Sequence, residues 1–204
     1  MKIAILLSGL HYITPEIVTD TNSPYLDFRQ YTRNIQEYIY KFFQGKGYDT
    51  DTFICTQDSI LYNELVDIYK PIRLSCISNT EDRRISKSIE VLRLFKEYIR
   101  VTNVAYDMVC LTRFDIYFLR YLINIDYTKI NIISKIDTNL IDDNFYLFPI
   151  SMLNEFFEMF STNRVNMNEK WAIARCFLPK FEEKFKVHFI HDEKRLWPIY
   201  QHLN

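Results

Sequence analysis

A run of strand-forming residues, Tyr106-Asp107-Met108-Val109-Cys110-Leu111-Thr112, ends on Arg113, Phe114 and Asp115, and a second apolar triplet, Ile116-Tyr117-Phe118, follows. Two opposite charges at the end of a buried strand can do distinct chemistry. The aspartate offers hard oxygen ligands for a divalent cation held against a diphosphate. The arginine presents a planar fork to phosphate oxygens or a carboxylate. The alternative is a local ion pair that positions the following loop. Ligands of open α/β sheets bind at the carboxyl ends of the strands, so the place of this pair points to a ligand crevice.

The surrounding pattern supplies such a sheet. Residues 2–7 form a continuous apolar run that stops at Ser8-Gly9, as a buried parallel strand running into a tight loop would. Residues 10–27 hold two prolines and a Thr-Asp-Thr-Asn-Ser cluster, and read as a long loop. From Arg29 the spacing of Tyr31, Ile35, Tyr38, Ile39 and Phe42 predicts a helix that stops at Gly45-Lys46-Gly47. Strands are expected over 52–56, 72–77 and 106–112, with helices over 59–69 and from Ile85 to Ile99. Strand alternating with helix implies right-handed crossovers and a mostly parallel sheet with flanking helices. Beyond Phe118 the order is less regular: strands fit 130–136 and 145–148, and helices fit 151–161 and 168–180.

In this layout Ser8 and Gly9, Thr56 and Asp58, Ser78 and Asn79, and Arg113 and Asp115 close four neighbouring strands. Familiar fingerprints are missing. Only Ser8-Gly9 follows the first strand where a dinucleotide motif needs three glycines, and no Walker loop, nucleophile elbow or His-Glu-x-x-His helix occurs. What remains is a nucleotide-sized crevice bordered by charged strand ends.

Ile3-Ala4-Ile5-Leu6-Leu7-Ser8-Gly9, a helix opened by an arginine, and Tyr106-Asp107-Met108-Val109-Cys110-Leu111-Thr112-Arg113-Phe114-Asp115 resemble a group of glycosyltransferase-like proteins of bacteria and large DNA viruses. The resemblance covers residues 1–120 and implies a GT-A-like, Rossmann-like architecture in a single domain. Residues 1–120 would be its nucleotide-binding half and 121–204 its more variable acceptor side. It implies transfer of a sugar from a nucleotide-sugar donor to a glycan or other hydroxyl acceptor, with Mn²⁺ or Mg²⁺ at Asp115. A catalytically degenerate relative that binds a nucleotide, a glycan or a protein is the rival expectation. Here Arg-Phe-Asp stands where the usual GT-A motif has two acids, and Leu10-His11-Tyr12 stands where the group has an arginine, leaving Arg29 or Arg33 for that role.

Other charged residues join these candidates. Arg84, with Asp82, Arg83 and Lys87, gives the third helix a basic first turn, either facing a phosphate or solvated. An inverting transfer needs a carboxylate base near the acceptor hydroxyl, and Asp142 or Asp143, in the turn before Phe145, fits. Some GT-A enzymes use a late histidine as a metal ligand, for which His191 is the candidate and His188 its neighbour; core or surface histidines are the alternative.

Composition bounds the rest. The chain has 204 residues, 48% hydrophobic and 25% charged, which suits one soluble domain rather than disorder or a membrane span. Lys plus Arg (25) nearly balance Asp plus Glu (26), an argument against non-specific nucleic-acid binding. The apolar start is too short for a signal peptide, so a cytoplasmic protein is expected. Abundant Ile, Asn, Lys and Tyr point to an AT-rich genome, and the resemblance to proteins of large DNA viruses implies a viral one. Cys55, Cys76, Cys110 and Cys176 lack metal spacing, and three lie in strand-like runs, which predicts buried reduced thiols.

Overall fold

A computed structural model describes residues 1–9, 12–13, 26–77, 83–133, 141, 144–162, 182, 184–191 and 200–201. The first strand, β1 (Lys2–Ser8), leads to a short antiparallel pair, β2 (Tyr12–Ile13) and β3 (Leu26–Asp27). A continuous helical stretch follows as α1 (Arg29–Ile35), a π-helical turn (Gln36–Tyr40) and α2 (Lys41–Gly45). Then come β4 (Asp49–Thr56), α3 (Tyr62–Tyr69), β5 (Arg73–Cys76), α4 (Arg83–Thr102) and β6 (Met108–Arg113). The second half contributes β7 (Tyr117–Phe118), β8 (Ile130–Ile132), β9 (Phe145–Pro149), α5 (Leu153–Thr162), β10 (Val187–Phe189) and β11 (Tyr200–Gln201).

Seven strands form one sheet in the order β10-β8-β9-β6-β1-β4-β5. β1 runs parallel to both β4 and β6, and β4 parallel to β5. β9 alone reverses direction, antiparallel to β6 and to β8, while β10 runs parallel to β8. The chain therefore leaves β1 toward β4 and β5, then returns to place β6 on the other side of β1. That reversal is a topological switch point, where the connections diverge and leave a crevice at the carboxyl ends of the strands.

Alternation along the strands divides the core in two. Ile3, Ile5, Leu7, Ile54 and Cys110 pack toward α1, the π turn, α2 and α3; Ala4, Leu6, Phe53, Cys55, Val109 and Leu111 pack toward α4 and α5. β1 is thus covered on both faces, which is why it reads as an unbroken apolar run. The π turn carries Ile39 and Tyr40 inward, and the Tyr40 hydroxyl meets Thr52 Oγ1 at 2.8 Å. No helix among the described residues is long and apolar enough to cross a membrane.

Several boundaries differ from expectation for identifiable reasons. Of the strand expected over 130–136, Ile130–Ile132 form β8, and 134–136 lie outside the described residues. The expected loop over 10–27 carries at its ends the two-residue β2–β3 pairing. Cys55 and Cys110 are buried as expected, whereas Cys76, the last residue of the edge strand β5, is exposed. The 168–180 helix, Cys176, Ser78, Asn79 and Asp82 lie outside the described residues.

Two outcomes follow. Buried Asn34 holds Phe118 with both ends of its amide: Nδ2 donates to the Phe118 carbonyl at 2.8 Å, and Oδ1 accepts from the Phe118 N–H at 2.6 Å. Asn34→Ala leaves both backbone groups unsatisfied and should cost about 2–4 kcal/mol in urea unfolding, against almost nothing for exposed Gln30→Ala. Burial pushes the Cys55 thiol up to about 12 and the Cys110 thiol higher still. In native protein at pH 8, peptide mapping after brief alkylation should therefore find Cys76 modified, and Cys55 and Cys110 modified only after unfolding.

Candidate functional site

The site is built on β1. Ser8 is in register with Cys55 of β4 on one side and with Arg113 of β6 on the other, so the carboxyl ends of three strands meet at one edge. Gly9 follows at φ +116°, a backbone conformation that disfavours any side chain, although a Cβ there would meet nothing within 4 Å. Conformation, not crowding, demands glycine here. The turn is fastened to β4 twice: the Gly9 N–H donates to the Cys55 carbonyl at 3.2 Å, and Thr56 Oγ1 donates to the Gly9 carbonyl at 3.0 Å. Thr56 is wholly buried and Ser8 nearly so.

Even-numbered residues of β1 and odd-numbered residues of β4 and β6 face α4. Ser8 therefore points toward that helix, and its Oγ lies 3.0 Å from Ser88 Oγ in the first turns of α4. The amino end of α4 overhangs the same edge, as a right-handed crossover requires. Arg84 belongs to that end of the helix. Lys87, beside Ser88, is 0% exposed. Its place in the basic first turn suggests a solvated or phosphate-facing residue; its spacing from Val91 and Phe95, four and eight residues on, marks it instead as part of the buried stripe.

Arg113 and Asp115 pair with one another. Arg113 Nε donates to Asp115 Oδ1 at 2.7 Å, and Nη2 donates to Oδ2, a bidentate fork between side chains only 14% and 12% exposed. Arg113 Nη1 also donates to Asn144 Oδ1 at 3.0 Å, and the Asn144 carbonyl accepts from Thr112 Oγ1 at 3.0 Å. Because β9 is antiparallel to β6, its first residue, Phe145, pairs with Thr112 and brings Asn144 to the carboxyl edge of β6. The expected alternative of a local ion pair is thus realised, with Asn144 as a third member. Asp142 and Asp143, immediately before Asn144 in the chain, lie outside the described residues.

The other candidates fall elsewhere. Arg29 opens α1, where the helix dipole disfavours a cation unless an anion is near. That anion is Asp27: Arg29 Nε lies 2.9 and 3.0 Å from its two oxygens, Nη2 lies 2.5 Å from Oδ2, and the Arg29 N–H donates to Oδ1 at 3.0 Å. Glu64 approaches Nη1 at 3.6 Å. His191 follows β10, which stands three strands from β6, about 14 Å across the sheet at the usual strand spacing. Its backbone N–H donates to the Ile133 carbonyl at 3.1 Å. His188 Nε2 meets the Asn124 carbonyl.

A divalent cation needs several converging oxygen or nitrogen ligands. Among the described residues no three His, Cys, Asp or Glu side chains come together, and both oxygens of Asp115 already accept from Arg113. The described residues do not form a metal centre. Asn34, which ties the loop after Asp115 to α1, and Asn144 complete the frame. Only tertiary placement reveals Asn34; its position among the apolar residues Tyr31, Ile35 and Tyr38 was the available signal.

No protein-family model matches the chain, and no curated protein does. A nucleoside-diphosphate-sugar pyrophosphorylase from Vibrio cholerae RC9 superposes with a TM-score of 0.52 at 11% identity, over 94% of this chain and 91% of that one. A glycosyltransferase involved in the glycosylation of the major capsid of PBCV-1 matches at 10% identity over 93% and 82%, with a TM-score of 0.47. At such identities the likeness is one of fold. The chain has a mixed α/β, GT-A-like architecture, with a mostly parallel seven-stranded sheet and flanking helices.

Proposed function

We propose that the chain binds a nucleoside-diphosphate sugar in the crevice between β1 and β6 and transfers the sugar to a hydroxyl acceptor. The observation that carries this reading is the switch point itself, with Ser8 and Gly9 on one lip and Arg113 on the other. A pyrophosphorylase of nucleoside-diphosphate sugars shares the fold, which supports the substrate class.

In this reading the bare Gly9 backbone lets a diphosphate approach the end of β1, and the Ser8 and Thr56 hydroxyls fix the floor beneath it. Arg113 and the α4 amino end carrying Arg84 supply positive charge as the bond from the anomeric carbon to the diphosphate oxygen breaks and its electron pair passes to that oxygen. A new bond forms from the acceptor oxygen to the anomeric carbon. The acceptor proton goes to a carboxylate, which we assign to Asp142 or Asp143 because the chain enters β9 at the same edge. Arg29, held by Asp27, orders the start of α1 rather than meeting the donor.

A second reading, binding without turnover, draws support from the engagement of Arg113 by Asp115 and Asn144. One set of variants separates the two. A nucleoside diphosphate at a concentration about 100 times its dissociation constant should stabilise the protein by about 2.7 kcal/mol in thermal melts. Asp115→Asn and Arg113→Ala each break a partly buried charged pair and should cost about 1–3 kcal/mol of stability. Measured where the variants remain folded, donor turnover should fall about 10²-fold, the usual loss when a preorganised charge is removed. Full turnover in folded Asp115→Asn would make the pair a loop anchor only, and a melt indifferent to every nucleoside diphosphate and nucleotide sugar would favour a protein- or glycan-binding role.

A further inference from the structure

A cavity of about 500 Å³ is lined by Lys96, Ile99, Arg100, Asn103, Val104 and Asn154. That volume is in the range of small-molecule sites. α4 runs from the carboxyl edge, where Ser88 touches Ser8, to the amino edge, and Arg100 stands about 18 Å beyond Ser88 at the helical rise of 1.5 Å per residue. Because β9 is antiparallel to β6, α5 begins at this same amino edge. The two walls are tied there by the Ile150 N–H, which donates to the Asp107 carbonyl at 2.9 Å. The cavity and the crevice thus lie at opposite edges of the sheet.

Lys96, Ile99 and Arg100 share one face of α4, and Asn103, just past the helix end at φ +55°, continues it, its N–H donating to the Ile99 carbonyl at 2.9 Å. Two cations four residues apart repel one another unless an anion is near. Arg93, earlier on α4, has its anions: it meets Glu90 at 2.8 Å and Glu97 at 3.2 Å. Glu97, the acid three residues before Arg100, is thereby taken, and among the described residues no carboxylate, Glu155 of α5 included, pairs with Lys96 or Arg100. Lys96 Nζ instead lies 4.3 Å above the Phe157 ring of α5, which holds it between the two helices. Two cations and two carboxamides therefore border one opening beside half-buried Ile99 and Val104. Their N–H donors outnumber the two oxygens of a carboxylate, and their charge balances a phosphate dianion.

We infer that this cavity is a second ligand site, for a small phosphomonoester whose phosphate faces Lys96 and Arg100 and whose carbon body rests on Ile99 and Val104. It does not depend on the nucleotide-sugar reading. The test is isothermal calorimetry of the full chain with phenyl phosphate, glucose 1-phosphate, inorganic phosphate and malonate. One of the esters should bind more tightly than inorganic phosphate, which lacks the carbon body, and than malonate, which lacks the phosphate. Lys96→Gln and Arg100→Gln should each weaken that ester about 10-fold, the loss expected for a charge-assisted hydrogen bond. Lys41→Gln, at an exposed cation elsewhere, should leave its affinity unchanged. If Lys96 and Arg100 serve only to complement the carboxyl end of α4, their removal lowers the melting temperature and leaves ester affinity as it was, which would overturn the inference. So would failure of both esters to bind, or binding of malonate or inorganic phosphate as tight as that of either ester.

Discussion

The structure depends on β1 having no free edge and no free face. It is hydrogen-bonded along its length to β4 and β6, and apolar side chains cover it from both sides. A strand so enclosed has one exit for function, its carboxyl end, where Ser8 and Gly9 leave the sheet. The fold then brings one element from each direction to that end: the Cys55–Thr56 end of β4, the Arg113 end of β6 and the first turns of α4. Because the register is shared, moving any one strand by a residue would turn inward side chains outward along its length. The positions of the site residues are thus fixed by burial of the core more than by interactions within the site.

Charge at this edge is handled by internal pairing. Arg113 is met by Asp115 and Asn144, and Arg29 by Asp27 and Glu64. Such forks hold side chains in single orientations and leave the local field close to neutral. Lys87, one turn before Val91 on α4, is fully buried.

The sheet was legible in the sequence because parallel strands buried on both faces are short, continuous apolar runs, and β1, β4 and β6 all have that form. Helices α1 and α4 were legible from 3.6-residue spacing. Less was legible where polar residues serve the interior. Asn34 and Lys87 look like members of a solvated face until the sheet is placed against their helices, and Asp27 reads as part of a loop until Arg29 closes on it. The gathering of Ser8, Thr56 and Arg113 at one edge could be read from strand order alone, since parallel strands share the edge at which they end. The occupation of Asp115 by Arg113 could not, because spacing two residues apart permits a ligand pair and an ion pair equally.

The antiparallel strand β9 has a consequence for how the protein is made. β1 leaves the ribosome before either of its partners, and it gains the second only when β6 has been synthesised, about a hundred residues later. Arg113 in turn gains Asn144 only when the chain has reached β9 and turned back along β6. Until then a nascent chain holds a very apolar strand with an open edge, the kind of surface that associates with other chains. A fragment ending near residue 120 would contain every strand-end residue discussed before β9 and still leave the outer edge of β6 unpaired. The conspicuous motif of the first half is therefore finished by the less conspicuous second half, and truncation there should yield an aggregating polypeptide rather than a smaller working domain.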